Sequence, residues 1–117
     1  MNYSESISFL YAQLPVFHRE GAKAYKPGLG NIEALCNLMG QPQDSFKSLH
    51  IAGTNGKGSS SHFMASILQE HGYKVGLYTS PHLHSFTERI KINGIQVSEE
   101  WVANFVTIHQ NLIEKVR

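Results

Sequence analysis

Gly53-Thr54-Asn55-Gly56-Lys57-Gly58-Ser59 is the stretch from which the fold can be read. A phosphate group carries charge and several acceptor oxygens, so it calls for convergent N–H donors and a cation. Glycines at 53, 56 and 58 clear side chains from the backbone and permit positive φ. A helix starting here would aim its free N–H groups and positive dipole end at the same point. Lys57 supplies a mobile positive charge, and the Ser59 hydroxyl is placed to meet a magnesium ion. The strict G-x-x-x-x-G-K-[ST] pattern is not matched, because Ile51 stands where a glycine is required and Gly58 separates Lys57 from Ser59. The ordinary alternative is a glycine-rich turn with a solvated lysine.

The flanks support a nucleotide-binding reading. Leu49-His50-Ile51-Ala52 predicts a strand running into the loop. Phe63, Met64, Ile67, Leu68 and His71 predict a helix with these residues inward, stopped by Gly72. Lys74 to Thr79 predicts a second strand, parallel to the first in a βαβ unit. Farther on, Arg89–Ile92 and Ile95–Val97 flank Asn93-Gly94, a strong hairpin signal. Ser98 caps a final helix with Glu99 and Glu100 in its first turn and an inward stripe of Val102, Phe105, Val106, His109, Leu112, Ile113 and Val116. Toward the N-terminus, Ile7, Leu10, Tyr11 and Leu14 mark a helix capped by Ser4. Pro15 ends it, and a connection of about sixteen residues leads to a helix from Asn31 to Gly40. The expected fold class is α/β, with a parallel sheet, flanking helices and a β-hairpin. Residues 1–46 are expected as a helical segment with a long loop, and 47–117 as the first part of a phosphate-loop domain.

Composition narrows the function classes. The chain has 117 residues, 41% hydrophobic and 16% charged, with 10 Lys+Arg against 9 Asp+Glu. That suits a folded domain, and a net charge of +1 gives no footprint for nucleic acid or an anionic membrane. Cys36 is the single cysteine, so no internal disulfide or Cys-rich zinc site can form; its helical register predicts a small core residue. His50 and His109 fall on apolar faces and are expected as satisfied core histidines. The N-terminus lacks the basic region of a signal peptide, and no apolar run reaches about 20 residues. A cytoplasmic setting is expected.

The 53–59 loop resembles that of the Mur ligase superfamily, and more narrowly that of folylpolyglutamate synthase/dihydrofolate synthase. Tyr78-Thr79-Ser80-Pro81-His82-Leu83 and Thr87-Glu88-Arg89-Ile90 are similar to that family's Ser-Pro-His-Leu and Glu-Arg-Ile segments, in the same order. The resemblance spans essentially all of the chain but only the first quarter to third of a family enzyme. It implies an incomplete P-loop NTPase-like fold of the Mur ligase central-domain type. It also implies an ATP-dependent ligase of folate biosynthesis and one-carbon metabolism. Such an enzyme joins L-glutamate to dihydropteroate or folate through an acyl phosphate, with ATP and Mg2+ as cofactors.

The site residues implied are Lys57 as the catalytic cation and Gly53, Thr54, Asn55, Gly56, Lys57, Gly58 and Ser59 around the triphosphate. Ser59 and Ser80 are the implied metal ligands. Lys26, Pro27, Gly28, Leu29, His82 and Arg89 would meet the pterin substrate, although Asn31 stands where the family often has Arg. Without the resemblance, Ser80 reads rather as a turn residue before Pro81, and His82 and His84 as exposed loop histidines. Glu88 and Arg89 read as flanks of the hairpin, where the resemblance implies a loop-fixing ion pair or a substrate contact. A different Mur-type amide ligase and a non-catalytic nucleotide-binding module remain open. The chain on its own is expected to be inactive and, with an open sheet edge, to self-associate.

Overall fold

The computed structural model describes residues 1–13 and 29–116, and they divide into two compact units. One unit comprises Met1–Ser48 with Ala103–Arg117, the other Leu49–Val102.

In the first unit, α1 (Tyr3–Ala12) is capped by Asn2 rather than Ser4. The Asn2 side chain accepts the Glu5 N–H at 2.8 Å, while the Glu5 carboxylate accepts the Asn2 N–H at 3.1 Å. This reciprocal capping box satisfies two donors that the helix leaves free, which a cap at Ser4 would not do. Ser6 is fully buried, and its hydroxyl donates to the Asn2 carbonyl at 2.8 Å. The second helix, α2 (Gly30–Leu38), ends as expected near Gly40, whose φ of +83° suits glycine. Cys36 on this helix is half-buried.

The second unit holds α3 (Lys57–Glu70), β1 (Gly76–Tyr78), β2 (Ile90–Ile92) and β3 (Ile95–Gln96). The helix α4 (Glu99–Lys115) starts here and ends in the first unit. Its start is as expected: the Trp101 N–H donates to the Ser98 hydroxyl at 2.9 Å, with Glu99 and Glu100 in the first turn. Val102, Ala103 and Val106 are its buried positions. Phe105 of the expected stripe is 40% exposed, and its ring instead stacks on that of His109 with centroids 4.3 Å apart.

The sheet departs from the expectation. It is antiparallel throughout, in the order β1-β2-β3, with Leu77 opposite Lys91 and Ile92 opposite Ile95. Backbone bonds from Asn93 to Val75 and from Thr79 to Arg89 extend the first ladder at both ends. Asn93 and Gly94 form the hairpin turn with φ of 52° and 83°. Residues 49–52 are not a strand, so the parallel pairing of a βαβ unit is absent among the described residues. A four-residue parallel ladder offers few bonds, each slightly weaker than an antiparallel one. The chain after β1 returns within a dozen residues to supply an antiparallel partner instead. The inward face expected for α3 is likewise not buried: Phe63 is 70% and Ile67 53% exposed, and Ala65 is its buried residue. His50 is exposed rather than in the core.

Candidate functional site

The phosphate-loop candidate takes shape from its backbone. Gly53 has φ +152° and Gly56 φ +76°, conformations that side-chain-bearing residues rarely adopt. Gly56 is the N-cap of α3 and supplies no side-chain cap. The N–H groups of Lys57, Gly58 and Ser59 lack acceptors among the described residues; the first main-chain bond of the helix runs from Ser60 to the Gly56 carbonyl at 2.9 Å. The helix thus opens with unspent donors at the positive end of its dipole. The Lys57 side chain turns back over the loop, with Cγ 3.9 Å from where a Gly53 Cβ would stand. Residues 52–60 are all exposed, Thr54, Asn55 and the Ser59 hydroxyl among them.

A second polar constellation lies in the segment after β1. Ser80 is exposed and precedes a cis bond to Pro81. From there to the 3-10 turn Phe86–Arg89, the chain is organised by Glu88. Its carboxylate accepts N–H groups from Leu83 at 3.0 Å, His84 at 2.9 Å and Ser85 at 2.6 Å. The Leu83 and Ser85 amides, then that of His84 with its ring charge, outweigh partial desolvation and hold the carboxyl at about 2 against 4.5 ordinarily. Beside it, the Arg89 Nε–H donates to His82 Nδ1 at 2.7 Å. Phe86 backs both: the guanidinium lies 5.5 Å from its ring centroid, and the His82 ring meets it edge-on at 6.0 Å.

These two loops lie at the same end of the unit. Lys91 Nζ approaches His62 Nε2 at 3.4 Å, which sets the middle of α3 against the middle of β2 and therefore against Leu77 of β1. The turn at 71–75 makes β1 run back along α3. From His62 to Lys57 is about 7 Å of helix, and from Leu77 to Ser80 about 10 Å of extended chain, counted toward the same end. His62 also bonds the phosphate loop, its Nδ1 lying 2.7 Å from the Gly58 carbonyl.

Thus 53–59, Ser80, His82 and Arg89 share one unit, and His82 and Arg89 touch. Leu29 lies in the other unit, 66% exposed, as the cap residue of α2. Lys26, Pro27 and Gly28 lie outside the described residues. Among the described residues, no group of three or more His, Cys, Asp or Glu could hold a metal ion, and no helix is long and apolar enough to cross a membrane. The resemblance implies a loop-fixing ion pair of Glu88 with Arg89; the loop is fixed instead by three backbone amides on Glu88. The signal for this was present in Ser85-Phe86-Thr87-Glu88, which fits the capping-box pattern of a Ser followed three residues later by Glu.

Comparison with known proteins agrees with the motif resemblance. No family model matches the chain. Dihydrofolate synthase/folylpolyglutamate synthase of Bacillus subtilis is 52% identical over 79 residues, 67% of this chain and 18% of that protein. The apo form of L. casei folylpolyglutamate synthase superposes with a TM-score of 0.84 at 32% identity, over 99% of this chain and 27% of that one. A folylpolyglutamate synthase complex with AMPPCP and folate superposes with a TM-score of 0.82 at 30% identity, over 99% and 27%. The chain therefore spans about a fifth to a quarter of the length of these relatives.

Proposed function

The chain belongs to the family of folylpolyglutamate and dihydrofolate synthases, and from that premise we propose that it is the phosphate-gripping portion of an ATP-dependent ligase that joins L-glutamate to dihydropteroate or a folate. The observation that carries the reading is the glycine-bounded loop opening on three unspent N–H groups at the start of α3. The AMPPCP and folate bound by one structural neighbour support the choice of ligands.

In this reading, residues 53–59 wrap the triphosphate and Lys57 neutralises charge that builds on the transferring group. The γ-phosphoryl passes from ATP to a substrate carboxylate oxygen, releasing ADP. The glutamate amine then attacks the acyl carbon and displaces phosphate. Positioning and charge neutralisation carry such chemistry, so no side-chain nucleophile is required. Ser59 and Ser80 fit a magnesium site in donor chemistry, being exposed hydroxyls at one end of the unit. When bound, the ion would screen phosphate charge; the hydroxyls would complement phosphate oxygens and water in holding it. His82 and Arg89 would face the pterin acid, with Lys26 to Leu29 approaching it from the first segment.

We further assign the unit to the Mur ligase central-domain type, with residues 49–52 leading into its phosphate loop. Residues 1–46 form the helical segment with the substrate loop, and 47–117 the start of the ATP-binding domain, in a cytoplasmic enzyme. This chain alone is expected to lack ligase activity and to self-associate through its open sheet edge. ADP release by the full-length protein, dependent on both glutamate and a pterin acid, tests the reading. Release that needs a muramyl nucleotide instead, or none despite MgATP binding, would overturn it.

A further inference from the structure

Glu88 stands outside the roles assigned above, yet three successive amides converge on it. A carboxylate so occupied has little left to offer a ligand. Its geometric effect is to fold residues 83–85 into one tight path between Pro81 and the 3-10 turn. That path brings His82 and Arg89, seven positions apart, to 2.7 Å.

The contact has a definite chemical sense. A guanidinium does not lose its proton, so Arg89 Nε can only donate. His82 Nδ1 must therefore accept, and the proton of the neutral ring resides on Nε2. Nε2 has no acceptor among the described residues. Phe86 backs the pair and restrains the ring plane, while Arg89 sets the tautomer.

We propose that Glu88 is a positioning residue: by gathering the Leu83, His84 and Ser85 amides it holds His82 against Arg89, so that His82 presents Nε2–H to a carboxylate oxygen of the substrate acid. This deepens the ligase reading and rests on it. Arg89 contributes indirectly, as the group that reserves Nδ1. Aspartate at 88 would be a methylene too short to reach all three amides, and glutamine would set an NH2 against them.

Selective 15N labelling of the histidine rings in the full-length protein reads the tautomer. His82 is expected with Nε2 protonated and Nδ1 bare; an Nδ1-protonated ring in the unaltered protein overturns the proposal. In Glu88→Gln the fixed pattern should give way to an exchange-averaged one. KM for the pterin acid should rise about tenfold, as for loss of a charge-assisted contact, while KM for MgATP stays within about twofold. An unchanged His82 spectrum, or an equal rise in both KM values, counts against Glu88 as a positioning residue. Should Glu88→Gln not fold, Glu88→Asp is expected to show a partial rise in the same KM, and wild-type behaviour there is equally adverse. If the unaltered protein shows no pterin-dependent ADP release, the ligase reading fails, and the ring spectra still report whether Glu88 sets the His82 tautomer.

Discussion

Two turns of this chain gather backbone N–H groups, and they dispose of them in opposite ways. Around residues 83–85 the donors are spent on the chain's own Glu88. At Lys57–Ser59 they are spent on nothing within the described residues, and the helix they open has a glycine cap that cannot bond them. The same donor chemistry serves self-assembly in one place and, in the proposed reading, an external anion in the other. What separates them is whether a carboxylate stands three residues along from the turn. A site for an anion is in part a place where sequence withholds the internal one.

The comparison is open to attack at several points. Lys57→Ala strikes the open loop, where a charge-assisted contact to phosphate is at stake; MgATP affinity should fall about a hundredfold by titration calorimetry, with the far-UV circular dichroism unchanged. Equal affinity in the variant would mean that the open amides serve some other purpose. Gly56→Ala forces a Cβ into a left-handed cap at a cost of about 1–2 kcal/mol, although no atom lies within 4 Å of where that Cβ would sit. Both MgATP affinity and melting temperature should drop, and a variant as stable as the parent would count against the backbone assigned here. Asn2→Ala opens another self-satisfied turn, the box at α1, and should cost about 1 kcal/mol of stability with no effect on MgATP.

Acid gives the smallest effect near neutrality. The Glu88 carboxyl is depressed to about 2 from 4.5, so its contribution to stability is present in full above the unfolded value. It should be lost as pH falls from 4.5 toward 2. Amide exchange at Leu83, His84 and Ser85 should therefore be flat from pH 7 to 5 after correction for intrinsic rates. Protection that fades already at pH 6 would point to a histidine instead.

Much of this was legible because it is local. Gly40 and Gly72 take the positive φ that their helix-stop role requires, and Asn93-Gly94 makes the hairpin its dipeptide announces. Ser98 caps α4, and the glycine-rich loop does precede a helix. What periodicity could not supply was partner choice. It marked residues 49–52 as strand without knowing what would pair with them, and gave α3 an inward face without knowing what would cover Phe63 and Ile67. The Asn2 cap outcompeted Ser4 because Glu5 reaches back to it, a reciprocal bond that a single-residue propensity does not weigh. The His82–Arg89 contact depends on a turn that Glu88 closes, so spacing alone gave it no signature.

One modest contact ties the two contrasted turns together. Arg89 leads through Ile90 to Lys91, Lys91 touches His62, and His62 holds the Gly58 carbonyl. Under the proposed reading, a ligand drawn against the 80–89 segment would load a short strut that ends on the loop holding the nucleotide. In linkage terms, whatever factor the pterin acid applies to MgATP affinity, MgATP must apply to the acid in return. Lys91→Ala, which cuts the strut while leaving both loops intact, is the change that should bring that shared factor toward unity.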